Sequence, residues 1–255
     1  MKIATKPLDW KDLQNKVGEI LTQCNFKVEI EKKVSSTRSL IEIDVYAEEI
    51  IDDRKYLVLC ECKMWNSNIP QLYIHGLRTV VNDVGANKGY IISTSNFQQG
   101  AKDSVENTNV ELLTWDAFQQ TFFKSWYLKY FHKKLKAIVH TEYDSMAINF
   151  FDSFELIKRE EFHLFIEKYN AIQQIYDHFP YPFFSKDLTG LTEFDKKLPL
   201  QRTLNLEDWE YQIFPVPKEI MEEENYLDFL YKLAEFAKPI YEKLDPLDLH
   251  SNYED

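Results

Sequence analysis

Acidic residues and a lysine on two short apolar segments are the part of this sequence that could perform chemistry. Residues 41–45 carry Asp44, and the apolar run 57–63 ends with Glu61 and Lys63. Side chains on a β-strand alternate between its two faces, so Glu61 and Lys63 are expected to lie on one face at the end of the second strand. A carboxylate and an ammonium group at the end of a buried strand are costly to desolvate, which indicates that they have a use.

If the two segments are neighbouring strands, Asp44 lies close to Glu61 and Lys63. Two carboxylates supply the hard oxygen ligands that suit Mg²⁺, which is usually held by one or two carboxylates, water and substrate phosphate. A lysine beside such an ion can position or deprotonate an attacking water. Glu42 shares a strand face with Asp44 and is an alternative ligand. These residues predict a metal-dependent hydrolase of phosphodiester bonds.

An Asp followed by Glu-x-Lys on a later strand resembles the motif of the PD-(D/E)xK nuclease superfamily. Residues 13–29 are similar to the opening helix and first strand of Mrr-type restriction endonucleases and of archaeal junction resolvases. Residues 85–97 are similar to the strand and turn of Mrr catalytic domains. The resemblance covers about residues 9–118. It implies an α/β, restriction-endonuclease-like fold with a mixed sheet flanked by helices, and a role in restriction or antiviral defence against foreign DNA.

The resemblance also implies a role for each site residue. Asp44 and Glu61 are expected to bind the metal, joined by the backbone carbonyl of Cys62, and Lys63 is expected to orient the nucleophilic water. The expected ion is Mg²⁺, for which Mn²⁺ can substitute. The family carries a glutamate on its first helix where this chain has Gln14. Gln14 is therefore expected to orient a water rather than to bind the ion.

Other residues near the motif have two interpretations each. Trp65 could stack on a base or anchor its loop, and Ser93 and Ser95 could contact phosphate or shape a turn. Gln71 and His75 lie one turn apart on the helix predicted after the lysine, and each could fill a further position of the family or lie on the helix surface.

The composition is that of a folded globular protein. The chain has 255 residues, of which 44% are hydrophobic and 15% aromatic, enough for one large domain or two small ones. No segment approaches the length of uncharged apolar sequence that a membrane span needs, and no apolar leader follows the first residues. The 3 cysteines lack zinc-ligand spacing, which favours buried thiols in a reducing cytoplasm.

The negative charge is unevenly distributed along the chain, whose net charge is −12. Residues 1–118 contain 14 basic and 17 acidic residues, a net charge of −3, whereas residues 119–255 contain 16 basic and 25 acidic residues, a net charge of −9. Phosphate backbones are usually attracted by lysine and arginine, so tight binding of DNA by a monomer is not expected. We expect a homodimer, or a partner protein bound through the acidic C-terminal part.

The sequence predicts two domains, a nuclease domain at residues 1–120 and an acidic, mainly α-helical accessory domain at residues 121–255. In the first, a helix capped by Asp9 precedes three strands, and then helices and strands alternate. The predicted helices are 10–24, 70–84 and 98–107, and the predicted strands are 26–34, 39–47, 56–63, 88–94 and 110–114. Residues 35–38 are expected to form a turn and residues 48–55 an exposed connection. The predicted C-terminal helices are 122–137, 146–176 and 226–244.

The function that the sequence favours is a Mg²⁺-dependent DNA endonuclease in restriction or anti-phage defence. Two alternatives stay open. An RNA nuclease would use the same three residues on the same scaffold. A nuclease-like module for assembly or recognition, without catalysis, is suggested by Gln14 and by the acidic surface.

Overall fold

The computed structural model describes residues 2–35, 40–139, 159–179, 198–203 and 216–244. The chain divides into two compact units, Met1–Tyr130 and Phe131–Asp255. The predicted turn at 35–38 and the first part of the predicted helix 146–176 lie mostly or wholly outside the described residues.

A mixed five-stranded sheet with strand order β1-β2-β3-β4-β5 forms the centre of the first unit. Neighbours are antiparallel from β1 to β3 and parallel from β3 to β5. The strands are β1 (Lys27–Ser35), β2 (Leu40–Ile51), β3 (Arg54–Lys63), β4 (Lys88–Ser93) and β5 (Val110–Thr114). The helices are α1 (Trp10–Gln23), α2 (Gln71–Val84), α3 (Gln99–Asp103) and α4 (Trp115–Trp126). The predicted fold class, a mixed sheet flanked by helices, is confirmed.

Helix α1 begins at its predicted cap. The Asp9 carboxylate accepts a hydrogen bond from the Asp12 N–H at 2.8 Å, as an N-cap residue should. Leu13 and Val17, in the apolar stripe of the helix, are fully buried. A side chain on Gly18 would begin only 2.6 Å from Ile30 Cδ1, so α1 packs closely on β1.

A second core lies on the α2 side of the sheet and is called here the α2-side core. It contains Leu57 and Leu59 of β3 with Ile74, Leu77 and Val81 of α2. The covering helix needs a glycine beneath it, because a Cβ at Gly89 on β4 would stand 2.7 Å from Val81 Cγ2. The end of β3 that carries Glu61 and Lys63 is thus held between two packed layers.

Part-way along strand β1, the side chains at alternate positions switch from one face of the sheet to the other. Ile30 faces α1, where it contacts Gly18, whereas Val34 packs in the α2-side core. Residues separated by an even number of positions share a face in a regular strand. The alternation is therefore broken between these two residues, and the backbone at Glu31 has the left-handed φ of 53°.

The side chains of strand β2 switch faces of the sheet at the matching position. Val45 pairs with Ile30 and so faces α1, while Ile43 is buried in the α2-side core. Asp44 lies between them, directly opposite Glu31 in the register of the two strands. The two irregular residues form one local distortion that crosses both strands.

The predicted exposed connection at residues 48–55 is wrong in its secondary structure. Strands β2 and β3 remain paired down to Ile51 and Arg54, so most of this segment is hairpin. Asp52 and Asp53 have φ values of 49° and 62°, which make the two-residue turn whose twist matches paired strands. Both faces of this exposed hairpin carry charged side chains, so its sequence lacks the alternation of apolar and polar residues that predicts a strand.

The elements after β5 also differ from prediction at their ends. Helix α4 begins at Trp115 and not at residue 122, because Thr114 caps it by accepting a hydrogen bond from the Ala117 N–H at 3.2 Å. A π-helical segment, Tyr127–Phe131, follows. Helix α3 ends at Asp103, shorter than the predicted 98–107.

All the regular secondary structure described in the second unit is helical. Its α-helices are α5 (His132–Val139), α6 (Arg159–Asp177), α7 (Leu200–Thr203), α8 (Lys218–Met221) and α9 (Tyr226–Leu244). Buried aromatic rings hold them together, with Phe131 5.1 Å from Tyr226 and 5.2 Å from Phe179 between centroids. Among the described residues, no helix combines the length and the apolar character needed to cross a bilayer.

Candidate active site

Asp44 lies where strands β2 and β3 separate. Their pairing ends at Val45 and Cys60, one residue before Asp44 would have paired. The Asp44 carboxylate takes over the missing backbone contact, because its Oδ2 accepts a hydrogen bond from the Cys62 N–H at 2.7 Å. This bond fixes the carboxylate at the end of β3, which is where the sequence predicted that it would lie.

Glu61 and Lys63 project from the same face of β3. The Lys63 Nζ lies 2.5 Å from Glu61 Oε1, and the two side chains are only 16% and 27% exposed, respectively. The ammonium group also lies 5.6 Å from the centroid of the Tyr73 ring on α2. The lysine is thus confined between a carboxylate and an aromatic face.

The pKa values of both carboxyl groups are raised. Burial raises the pKa of the Asp44 carboxyl, and the hydrogen bond from the Cys62 N–H opposes this rise. Burial also raises the pKa of Glu61, and the neighbouring charge of Asp44 raises it further. Both shifts show that the site favours added positive charge, either a proton or a cation.

Gln14 reaches Asp44 from helix α1 and is completely buried. Its Nε2 donates to Asp44 Oδ1 at 2.9 Å, and this contact fixes the orientation of the amide because a carboxylate can only accept. No group in the described part of the chain hydrogen-bonds to Gln14 Oε1. A buried oxygen left unpaired costs about 1–3 kcal/mol, so this atom is suited to a water or an ion.

The Cys62 carbonyl has a partner that the sequence did not suggest. The Trp10 indole Nε1 donates to it at 3.1 Å. A carbonyl oxygen has two lone pairs, so the indole orients the group and leaves the second lone pair for a ligand. The Cys62 thiol itself is buried and free, as are those of Cys24 and Cys60, in agreement with the prediction of buried thiols.

The oxygen atoms brought together here fit a hard cation. They are the carboxylates of Asp44 and Glu61, Gln14 Oε1 and the Cys62 carbonyl, none of them a soft ligand. Within the described ranges, no three His, Cys, Asp or Glu side chains form a group that could hold an ion. Water and substrate phosphate would have to complete the coordination, which is usual for Mg²⁺.

The alternative ligand Glu42 is half exposed, and its carboxylate lies 4.0 Å from Lys33. The distortion at Asp44 breaks the alternation on which this alternative depended, so a shared face no longer follows for Glu42 and Asp44. His75, on α2, is exposed.

The serines at the end of β4 have structural contacts. Ser93 Oγ accepts from the Ser95 N–H at 3.0 Å, and Ser95 Oγ donates to the Ser67 carbonyl at 2.8 Å. These bonds tie the loop after Lys63 to strand β4. Trp65, in that loop, packs partly against the α2-side core and edge-on to Tyr73, with 4.8 Å between the ring centroids.

The family of this domain follows from its sequence. The family model Mrr_cat, described as restriction endonuclease, matches residues 5–122. This range includes all five strands and the residues Asp44, Glu61 and Lys63. The segment is an Mrr-type catalytic domain. The resemblance inferred from the motif is confirmed, and the Mrr-type domain is a nuclease of the restriction-endonuclease type.

Two solved structures show a partial likeness to the chain. One is a protein of unknown function, AF1548, with 20% identity and a TM-score of 0.37 over 44% of this chain and 66% of that protein. The other is the DNA modification-dependent restriction endonuclease AspBHI, with 11% identity and a TM-score of 0.24 over 46% of this chain and 38% of that protein. A comparison with curated proteins found no match. The assignment of the Mrr-type domain therefore rests on the family model.

Proposed function

We propose that this protein is a Mg²⁺-dependent endonuclease that hydrolyses phosphodiester bonds of DNA, acting in the cytoplasm in restriction or antiviral defence. The observation that carries the proposal is the convergence of Asp44, Glu61 and Lys63 at the end of β3 in an Mrr-type domain. Raised carboxyl pKa values and an unpaired buried amide oxygen support a cation as the missing component.

The side chains have separate tasks in this proposal. Asp44 and Glu61 would hold the cation, with the Cys62 carbonyl oriented toward it by Trp10. A bound divalent cation would polarise the scissile phosphate and stabilise charge on the leaving oxygen. Lys63, held against Glu61, would orient the attacking water and stabilise the transition state electrostatically. Gln14 would keep Asp44 in place and offer Oε1 to a water.

The protein would act on duplex DNA as a homodimer or with a partner protein, with one active site for each strand. The weak basic character of residues 1–118 motivates this part of the proposal, since few lysines and arginines are present to bind phosphate.

A cleavage assay tests the function. The full-length protein is incubated with modified and unmodified plasmid, single-stranded DNA and RNA, in Mg²⁺, Mn²⁺ or a chelator. We expect cation-dependent cleavage of plasmid. Cleavage of RNA alone would establish the RNA nuclease instead, and no cleavage of any substrate would support the non-catalytic module.

The variant Lys63→Ala tests the electrostatic role proposed for this lysine. Loss of one electrostatic donor to the transition state should reduce the rate roughly 10²–10³-fold, while Mn²⁺ affinity in calorimetry should not weaken, because an ammonium group is not a ligand. The matched control is Lys55→Ala, which removes an exposed lysine from the same strand. Activity of Lys63→Ala within a few-fold of that of the control would contradict the proposed site.

A further inference from the structure

Glu31 has a backbone conformation that its position in a strand does not explain. Its φ of 53° is left-handed, although it lies in the middle of β1. Every other non-glycine residue with positive φ in the described ranges lies in a turn or at a helix end (Asn25, Asp52, Asp53 and Asn107). A left-handed conformation strains the backbone of a non-glycine residue and persists only where its surroundings impose it.

The distortion places Glu31 against the candidate active site. Glu31 lies opposite Asp44, between the regular pairs Ile30–Val45 and Lys32–Ile43. The two carboxylates are close enough that the charge of Glu31 contributes to the raised pKa of Asp44. A strand that brings a further carboxylate toward Asp44 gains electrostatic repulsion, which only nearby positive charge can offset.

Lys11 provides positive charge at this point. Its Nζ lies 2.6 Å from Glu31 Oε1, with the lysine side chain 48% exposed and the glutamate side chain 38% exposed. Ion pairs this exposed stabilise a protein only weakly, so the pair with Lys11 does not by itself account for the strained backbone. Lys11 precedes Gln14 by three positions on α1, so the two side chains lie on the same side of that helix.

The unpaired oxygen of Gln14 is an independent sign that a ligand belongs here. The Gln14 side chain is 0% exposed, its Nε2 is bonded to Asp44, and its Oε1 has no hydrogen-bond partner among the described residues. Gln14 and Glu31 are thus both neighbours of Asp44, Gln14 through this hydrogen bond and Glu31 through its position opposite Asp44 in the strand register.

We propose that Glu31 is a further carboxylate of the cation site, acting on a hydrated divalent ion beside Asp44, and that Lys11 neutralises Glu31 until the ion binds. This proposal rests on the metal-dependent function proposed above. Glu31 acts through water and charge, since no three acidic side chains in the described ranges are grouped closely enough to hold an ion. Arrival of the ion replaces the ammonium of Lys11 as the partner of Glu31.

The test is calorimetric titration of the full-length protein with Mn²⁺, without nucleic acid. Glu31→Gln should weaken binding about five- to tenfold, the effect of removing one charge several ångströms from a divalent ion. Lys11→Gln should instead tighten binding about two- to fivefold, because it removes a competing positive charge. The matched control is Glu42→Gln, which removes an exposed acid from the adjacent strand β2 and should change affinity less than twofold.

Glu31→Gly separates a structural role from a role in binding. Glycine adopts a left-handed φ without strain, so this variant should unfold at a higher temperature than wild type while binding Mn²⁺ as weakly as Glu31→Gln. A stabilised variant with wild-type affinity would overturn the proposal, as would an equal affinity of wild type and Glu31→Gln.

Asp44→Asn distinguishes failure of this inference from failure of the proposed function. If Asp44→Asn abolishes Mn²⁺ binding while Glu31→Gln leaves it unchanged, the function stands and the role of Glu31 is rejected. If wild type does not bind Mn²⁺, or binds it no better than Asp44→Asn, the proposed function and this inference are both rejected.

Discussion

Each charged side chain of the candidate site is held by a specific contact. Asp44 is fixed by the Cys62 N–H and Gln14, while Glu61 is fixed by Lys63. Rigid positioning by hydrogen bonds is what a site for a cation and a phosphate requires, because little reorganisation is then needed when they bind. The cost is that two carboxylates are poorly solvated in the protein without a cation.

Glu61 should therefore destabilise the cation-free protein at neutral pH. Its folded-state pKa is raised, mainly by burial, so the folded protein retains a proton that the unfolded chain has already released. The free energy of unfolding must then fall as the pH rises from about 4.3, the ordinary glutamate value, through the raised value. Glu61→Gln removes this effect, and its amide oxygen can still accept from Lys63. We expect a higher unfolding midpoint for the variant at pH 7, and equal midpoints at a pH below the ordinary value.

The control variant for this prediction should change the unfolding midpoint in the opposite direction. Hydrogen bonds from Lys55 and from Tyr46 lower the pKa of Glu48, so Glu48→Gln should lower the midpoint at neutral pH. With Mn²⁺ at a hundred times its Kd, wild type should gain about 2.7 kcal/mol and Glu61→Gln much less. If Glu61→Gln unfolds at or below the wild-type midpoint without cation at pH 7, the site does not have the electrostatic repulsion described.

At the scale of the elements, helix α1 and the end of β3 define the site together. Helix α1 contributes Trp10 and Gln14, and its close approach at Gly18 sets how near they come to the sheet. Strand β3 contributes Glu61 and Lys63, and its long hairpin with β2 fixes the register that places Asp44 beside Cys62. A one-residue slip in that register would move Asp44 to the opposite face.

A substitution in the turn of the hairpin that sets this register should increase the stability of the protein. Asp53 has a left-handed φ of 62°, and an Asp-Gly pair is the favoured sequence for a turn of this kind. Asp53→Gly should therefore raise the free energy of unfolding, measured by denaturant titration, because glycine adopts a left-handed φ without strain. The gain should be less than about 1 kcal/mol, because glycine also increases the entropy of the unfolded chain. Asp53→Ala is the control and should lower it, since alanine tolerates this conformation less well than aspartate. Stabilisation by alanine equal to that by glycine would show that the turn conformation is not the cause.

At the scale of the whole molecule, the division into two units bears on where the nuclease domain ends. The sequence placed a boundary after residue 120, and this position lies inside helix α4. Phe122 and Trp126 of that helix are buried, and the Trp126 indole donates to Gln23 of α1 at 2.5 Å. Helix α4 therefore belongs to the core of the first unit, which extends to Tyr130.

We predict that residues 1–130 fold alone and bind Mn²⁺ with the affinity of the full-length protein. The acidic second part, residues 131–255, contains 14 basic and 25 acidic residues, a net charge of −11. It should repel phosphate backbones and is expected to govern regulation, target choice or oligomeric state. Cleavage rate, substrate range and mass by light scattering are compared at equal concentrations of both proteins. A 1–130 fragment identical to the full-length protein in all of these would show that the second part contributes none of them.

A fragment of residues 1–118 is the control for this comparison. It ends inside α4 and lacks buried aromatic residues of that helix. Truncating one such aromatic residue in a core lowers the free energy of unfolding by about 3–5 kcal/mol. We expect it to be unfolded by circular dichroism. A folded 1–118 fragment would mean that α4 is not needed for the core.

The sequence by itself determined what depends on neighbouring residues along the chain. The period of apolar residues, the Asp9 cap and the breaks at glycines indicated the helices and most strands of the first unit, because these signals act within a few residues. The same local pattern placed Glu61 and Lys63 on one face of β3. It failed at residues 48–55, where an exposed hairpin carries charge on both sides and shows no alternation.

Only the tertiary structure decided how the site is assembled. Asp44 replaces a backbone partner of Cys62, Gln14 is turned toward Asp44, and Trp10 holds the Cys62 carbonyl. Glu31 showed no signal in the sequence, since a glutamate in a half-exposed strand is ordinary and its left-handed backbone cannot be read from residue type. Such contacts join residues that are distant along the chain, and they depend on strand register, on helix approach and on a local break in both strands. These are properties of the folded backbone, which no local pattern of residue types specifies.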